Sequence, residues 1–300
     1  MFFLGAVLVA SIISTDSLRF CDYSPNSSLL RIIGGSIAAT SEYPWQAVLV
    51  SYDSTESGMI CGATVVDEYW ILTAAHCVVS PPEESYIFTG LTSLSNPQHT
   101  HRVERFVVHP GFDANLIIND IALVKSKQSL YNSGISSVCL VRDDSEFLNP
   151  TNEAIVTGFG LHIVSETLFG VTMGVSDVML KTSLPIIPHQ LCRQEWSSLS
   201  RGTIMITDKQ LCAGSKMHGT GPGDSGGPLL ARDKLGRLVQ LGITSFGAAG
   251  FQGLLDQSTY PGVYTRVSSY IPWMEAVINS GSTPFALSAF LYTRIFGALI

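Results

Sequence analysis

The sequence is poor in charged residues and has no dense stretch of Lys or Arg. Asp, Glu, Lys and Arg make up 14% of the 300 residues, and the formal net charge is −7 at pH 7. Proteins that bind nucleic acids need a basic surface to neutralise phosphates, so we expect no nucleic-acid partner. Hydrophobic residues make up 46% of the chain, which excludes a disordered protein and is typical of one with a packed core.

The sequence also lacks common metal-ligand spacings, since it has no C-x-x-C pair and no His-x-x-x-His pattern. We therefore expect neither a metal ion nor another cofactor. The six cysteines are an even number, as in secreted proteins with a disulfide framework, and they predict three disulfides. Their pairing is open on the cysteine count alone.

Neither end of the chain has a clear membrane-spanning run. The N-terminal apolar run, Phe2 to Ile13, has the length of a signal-peptide core, although no Lys or Arg precedes it. We expect a signal peptide over residues 1–17 and secretion from the cell, with Ser11, Ser14 and Ser17 as candidate cleavage sites. A buried N-terminal strand is the alternative.

The C-terminal residues 281–300 form an apolar extension that contains Arg294. This run is too short and too charged for a spanning helix, and it nearly lacks the polar spacer of a lipid-anchor signal. We expect a packed or flexible extension. Attachment to the cell surface through this tail is the less favoured alternative.

The most informative stretch is Gly223-Asp224-Ser225-Gly226-Gly227-Pro228, and no histidine follows it. A serine among glycines exposes its hydroxyl to a substrate, but it needs a base to act as a nucleophile. Hydrolases of the α/β fold have their triad in the order Ser, acid, His, and this order is excluded here. All candidate bases lie upstream of Ser225: His76, His99, His101, His109, His162, His189 and His218.

Two upstream stretches supply a base and an acid. His76 lies in the sequence TAAHC, directly before Cys77, and Asp120 lies in the apolar run Leu116 to Val124. A carboxylate in such a run is costly to bury unless another group pairs with it. We interpret His76, Asp120 and Ser225 as a catalytic triad and the six other histidines as surface or structural residues.

The motifs TAAHC, DIAL and GDSGGP, in this order, resemble the trypsin/chymotrypsin family of serine endopeptidases over residues 32–280. The resemblance implies an all-β fold of two packed antiparallel six-stranded β-barrels. Barrel one would cover about residues 32–140, barrel two about 150–268, and a C-terminal helix about 269–279. Short apolar runs separated by polar turns, such as Trp45 to Val50 and Met59 to Val66, agree with antiparallel strands.

The resemblance also assigns roles to the triad. Ser225 would attack the scissile carbonyl, His76 would accept and return the proton, and Asp120 would orient the imidazole. The backbone N–H groups of Gly223 and Ser225 would form the oxyanion hole.

The same family makes its members as zymogens, and the sequence has the residues that activation needs. Residues 18–31 would be a propeptide, and a trypsin-like protease would cut after Arg31. The new amino group of Ile32 would then pair with Asp224. The propeptide contains Asn26 in an Asn-Ser-Ser sequon, so Asn26 is a candidate glycosylation site.

The resemblance pairs the cysteines as Cys61–Cys77, Cys192–Cys212 and Cys21–Cys139. Two disulfides of many relatives are absent with both partners. Ala154 and Ala231 stand where one would be, and Gly221 stands at one end of the other.

The pocket for the residue before the scissile bond (P1) resembles that of chymotrypsin- or elastase-like members rather than trypsin-like ones. Its base residue would be Gly219, without the acid that binds Arg or Lys, so large apolar or aromatic P1 residues are expected. A long loop over residues 248–260, which carries Asp256, leaves open whether the pocket is narrowed or receives a charge. The substrate-binding residues would be Gly219, Thr220, Ser245, Phe246, Gly247 and Gly262.

The predicted function is therefore a secreted serine endopeptidase. Its expected partners are protein or peptide substrates, the activating protease and proteinaceous serine protease inhibitors. A protease of narrow specificity set by the 248–260 loop is one alternative. A non-catalytic binding protein on the same scaffold is the other.

Overall fold

The computed structural model describes residue 18 and residues 36–39, 42–52, 58–132, 134–149, 152–167 and 170–280. The predictions for the signal peptide, Cys21, Asn26, the Arg31–Ile32 cleavage site and the tail 281–300 lie outside these residues. Leu18 is buried in the hydrophobic core.

The first half of the chain forms a closed antiparallel barrel, preceded by the short strand β1 (Ser36–Ile37). Around the barrel the strands follow the order β2-β3-β4-β7-β6-β5. Alternation of buried and half-buried residues along β5 shows why the pattern of short apolar runs produces strands with one face in the core. The strands are β2 (Gln46–Tyr52), β3 (Gly58–Asp67), β4 (Trp70–Thr73), β5 (Ser85–Thr89), β6 (His99–Val108) and β7 (Ala122–Ser126).

The second half forms another closed ring in the order β11-β12-β15-β14-β13-β8, because β8 also pairs with β11. The hairpin β9–β10 lies outside the ring, and β1 pairs with β11. The prediction of two six-stranded barrels is confirmed. The strands are β8 (Glu153–Gly158), β9 (Leu161–Thr167), β10 (Gly170–Val175), β11 (Leu180–Ile187), β12 (Gln210–Ala213), β13 (Pro228–Arg232), β14 (Leu238–Phe246) and β15 (Gly262–Arg266).

The α-helices in the described part of the chain are α1 (His189–Leu199), α2 (Gly250–Leu255) and α3 (Ile271–Asn279). Helix α3 confirms the predicted C-terminal helix, and its apolar face is buried through Ile271, Met274 and Ile278. Within the described residues no helix has both the length and the apolar character that crossing a membrane requires.

The apolar run Leu116 to Val124 does not form one continuous strand. Ile117 and Asn119 have φ angles of 50° and 53°, in the left-handed region that a strand does not use. Strand β7 therefore begins only at Ala122, and Asp120 lies in the loop before it. The apolar pattern of this run does not indicate that its backbone is irregular.

The disulfides Cys61–Cys77 and Cys192–Cys212 are formed as predicted. Cys139 is also disulfide-bonded, and its predicted partner Cys21 lies outside the described residues. At one missing disulfide, Ala154 and Ala231 are directly paired between β8 and β13 and are fully buried. The packing of these two small apolar side chains takes the place of the disulfide.

Candidate active site

His76 lies on a single 3-10 turn, Ala75–Cys77, that follows β4 and is tied to β3 by the Cys61–Cys77 disulfide. Its Nδ1 is 2.8 Å from Asp120 Oδ2, and its backbone N–H donates to Asp120 Oδ1 at 2.9 Å. Asp120 is 1% exposed. Both carboxylate oxygens of a buried acid are thus bound by one residue, which fixes the position and the orientation of the imidazole.

Asp120 is also bound by the second barrel. Ser245, on β14, donates its hydroxyl to Asp120 Oδ2 at 2.5 Å. Thr265, on β15, donates its hydroxyl to the Asp120 carbonyl oxygen at 2.8 Å. The prediction named Ser245 as a substrate-binding residue and did not include this side-chain contact with Asp120.

The turn that carries Ser225 comes from the second barrel and packs against the strands that lead to His76. A Cβ atom on Gly226 would overlap Thr73 Oγ1 and the Gly62 carbonyl oxygen, and Gly226 has a φ of 79°. A Cβ atom on Gly62 would lie 2.7 Å from Gly227 Cα. Only glycines permit this close approach of the two barrels.

The turn of Ser225 therefore lies beside the strand that leads to His76, although no hydrogen bond joins the side chains of Ser225 and His76 within the described residues. Catalytic hydrogen bonds are often long in structures without substrate.

The backbone beside Ser225 presents free donors. In the part of the chain that the structure describes, neither the Gly223 N–H nor the Ser225 N–H donates a hydrogen bond. Gly223 has a φ of 95°, and a Cβ atom there would lie 3.0 Å from Gly160 Cα. The geometry leaves two unpaired N–H groups on one short turn, the arrangement that an oxyanion hole requires.

Asp224 is buried between Gly158 and Gly160, where added Cβ atoms would overlap its carboxylate. Its Oδ1 accepts from the Gly160 N–H at 2.9 Å and its Oδ2 from the Gly221 N–H at 3.0 Å. Burial raises the pKa of this carboxyl from 3.8 to about 6, and the two backbone N–H groups offset part of the increase. Among the described residues no cation pairs with Asp224.

The predicted pocket residues Gly219, Thr220 and Gly262 surround a side chain that the prediction did not include. Gln257 is 3% exposed, and its Nε2 donates to the Thr220 carbonyl oxygen at 2.6 Å. Its Oε1 accepts from the Thr220 N–H at 3.3 Å. A Cβ atom on Gly219 would overlap the Gln257 carboxamide.

The space beside Gly219 is therefore occupied, which is one of the outcomes that the sequence left open for loop 248–260. Loop 248–260 narrows the pocket with Gln257. The Asp256 carboxylate accepts hydrogen bonds from Ser258 and Thr259, which hold its pKa below the usual range, whereas the atoms nearest to an added Cβ on Gly219 belong to the uncharged Gln257.

Gly247 and Phe246 are two further residues of the predicted pocket. A Cβ atom on Gly247 would meet nothing within 4 Å, so this wall is open. The Phe246 ring packs edge-on against Trp196 at 5.0 Å between centroids, and the Trp196 indole N–H donates to the Pro261 carbonyl oxygen at 3.1 Å. Helix α1 thereby supports the wall that Phe246 forms.

Cys61, His76 and Cys77 approach one another closely enough to suggest metal ligands. Both sulfur atoms belong to the Cys61–Cys77 disulfide, so neither is a thiolate that can bind a metal.

A family model described as Trypsin matches residues 32–274. The chain belongs to the trypsin family. Among its relatives in this family, the clotting factor G beta subunit of Tachypleus tridentatus is 29% identical over 86% of this chain and 82% of that protein. Transmembrane protease serine 11C of Mus musculus is 34% identical over 81% of this chain.

Tissue-type plasminogen activator of Rattus norvegicus is 30% identical over 86% of this chain but only 48% of its own length. This trypsin-family chain thus spans about half the length of the plasminogen activator. It likewise covers 53% of the length of transmembrane protease serine 11C.

Proposed function

We propose that this trypsin-family chain is a secreted serine endopeptidase, made as a zymogen, that hydrolyses peptide bonds through an acyl-enzyme. One observation carries the proposal. A buried carboxylate on the first barrel, Asp120, binds both N–H groups of His76, while the Ser225 turn of the second barrel packs on the strand before His76. Secretion is supported by the apolar run Phe2 to Ile13 and by the disulfides.

The chemistry follows from which imidazole nitrogen faces the acid. Because Nδ1 donates its hydrogen to Asp120, Nε2 is left to accept the Ser225 proton as the hydroxyl attacks the scissile carbonyl. His76 then gives this proton to the leaving amine, and Asp120 stabilises the intermediate imidazolium. The Gly223 and Ser225 N–H groups bind the negative charge that develops on the carbonyl oxygen, each worth roughly 3–4 kcal/mol.

Activation by a cut after Arg31 is supported by the buried carboxylate of Asp224, beside which the described part of the chain places no cation. A buried carboxylate with a raised pKa is stabilised by any cation that enters its pocket. The new Ile32 ammonium would supply this cation and hold the Gly223–Ser225 turn in its oxyanion-binding form.

The length of chain agrees with this pairing. Strands β1 and β8 flank β11, so Ser36 lies two strand spacings, about 10 Å, from Thr157. The next residue, Gly158, contacts the Asp224 carboxylate. The four Cα-to-Cα steps from Ile32 to Ser36 span up to about 14 Å, which is enough to reach it.

We further propose that the P1 residue is uncharged and apolar. The candidates expected from the sequence are Phe, Tyr, Leu and Met. No acid lies against Gly219 in the described residues, so a buried Arg or Lys side chain would remain unpaired. Gly247 leaves a wall open to an apolar side chain. Protein substrates, an activating trypsin-like protease and proteinaceous serine protease inhibitors are the proposed partners.

The test starts with the purified uncut protein and a Ser225→Ala variant. Trypsin treatment should produce a new N-terminus at Ile32, after which an organophosphate should label Ser225 and peptides should be cleaved after uncharged residues. The Ser225→Ala protein should show neither labelling nor cleavage. A correct N-terminus without labelling would contradict the enzyme and favour a binding protein on the same scaffold.

A further inference from the structure

We infer that Gln257 determines the specificity of the P1 pocket, because its carboxamide forms the pocket floor in place of a residue at position 219. The pocket then selects uncharged side chains of intermediate length, Leu and Met, over the longer aromatic side chains and over Arg and Lys. This inference rests on the proposed function and narrows it.

Three glycines leave the space that Gln257 occupies. An added Cβ atom on Gly214 would lie 2.5 Å from Gln257 Cβ, and one on Gly262 would lie 3.1 Å from Gln257 Oε1. A Cβ atom on Gly219 would overlap the carboxamide itself. The three glycines therefore make room for the Gln257 side chain, and the space between them is not an empty slot.

Gln257 is held by its hydrogen bonds and by the loop that carries it. Both polar atoms of the carboxamide bind the backbone of Thr220. The loop is attached to the pocket segment by the Met217 N–H, which donates to the Leu255 carbonyl oxygen at 2.7 Å. The Leu254 side chain covers Gly221, one of the positions without a disulfide. The floor is therefore fixed before substrate binds.

The chemistry of the carboxamide explains both selections. It has no charge, so it does not compensate a guanidinium or ammonium group that would leave water. It also shortens the pocket by the depth that an aromatic P1 ring would need. The pocket ends at the carboxamide of Gln257 and not at Gly219, which has no side chain. One of its N–H groups and one lone pair remain after the Thr220 bonds, so the floor is polar but neutral.

Two substitutions test the inference in opposite ways. Gln257→Gly removes the floor and should raise kcat/KM for P1 Phe relative to P1 Leu by about tenfold or more. Gln257→Glu replaces the carboxamide with a carboxylate of the same size and should raise kcat/KM for P1 Arg relative to P1 Leu by a similar factor. The matched control is Gln252→Glu, the same change at an exposed position of the same loop, which should leave both ratios unchanged.

Active-site concentrations come from organophosphate titration of each activated variant. Benzamidine, a small aromatic cation, gives a readout independent of catalysis: in a Ser225→Ala background it should bind the Gln257→Glu variant about tenfold more tightly. If the titrated variants are active with unchanged ratios and unchanged benzamidine binding, the inference fails and the proposed function stands. If the wild-type protein is not labelled, both fail.

Discussion

Ser245 donates its hydroxyl hydrogen at 2.5 Å to Asp120 Oδ2, the same oxygen that accepts from His76 Nδ1. The acid of the proposed triad belongs to the first barrel, and this serine belongs to the second. The contact therefore joins the barrels at the group that orients the base.

Replacing Ser245 with Ala should lower kcat about tenfold and change KM little. The carboxylate loses one of its donors, so the imidazole is less well oriented in the transition state. Steady-state kinetics on a peptide substrate measures this. Ser268→Ala is the control, because it removes a 2.8 Å Ser–Asp hydrogen bond to Asp144 and should leave kcat unchanged. Equal losses in the two variants would contradict a specific role of Ser245.

Asp224 should make the stability of the uncut protein depend on pH. Its folded-state pKa of about 6 is above the ordinary 3.8, so the folded state binds this proton more tightly than the unfolded state. The free energy of unfolding should therefore fall as the pH rises from about 4 to about 6, by an amount on the order of 3 kcal/mol.

Urea unfolding of an uncleavable Arg31→Gln variant between pH 4 and pH 7 measures this slope. Adding Asp224→Asn should remove its contribution, and cleavage of the wild type should do the same if Ile32 supplies a cation. A slope that persists unchanged after Asp224→Asn would show that another group is responsible.

The ion pair between Glu42 and Lys181 should be sensitive to the loss of one partner. Its atoms are 2.5 Å apart, and the two side chains are only 5% and 6% exposed. Lys181→Met leaves the Glu42 carboxylate buried without this cation and should cost about 3–5 kcal/mol of stability. The double variant Glu42→Gln/Lys181→Met should recover most of the loss, whereas Lys234→Met, in an exposed pair, should change stability little.

Gly226 and Gly236 have the same φ of 79°, which separates backbone strain from steric overlap. A Cβ atom on Gly236 meets nothing within 4 Å, so Gly236→Ala should cost about 1 kcal/mol from strain alone. Gly226→Ala should cost several times more and abolish organophosphate labelling, because its methyl group would force the barrels apart. Similar stability of the two variants would contradict the close contact at Gly226.

The motifs predicted which residues meet, since His76 and Asp120 are separated by 44 residues in sequence yet joined by hydrogen bonds. Those motifs carry information about three-dimensional neighbours that periodicity does not contain. The barrels were predicted from the resemblance of the motifs, and the apolar runs agreed with strands, but the run before β7 gave no sign of the positive φ angles at Ile117 and Asn119.

Gln257 was not predicted because a polar residue in a long loop has no periodic pattern that places it. The three glycines that surround its side chain come together only once the chain is folded. Helix α1 was also missed, since Pro188 provides no side-chain cap. The spacing of four between Cys192 and Trp196, both buried, is the signal that would have indicated this helix.

The hydrogen bonds that the second barrel donates to Asp120 have a consequence for the kinetics of refolding. Each barrel closes its own hydrogen-bonded ring, but the Ser245 and Thr265 bonds to Asp120 form only when the two rings dock. During refolding from denaturant, strand formation should therefore precede the capacity to react with an organophosphate. The rate at which organophosphate labelling appears then measures the docking of the barrels, whereas the circular dichroism signal measures the formation of their strands.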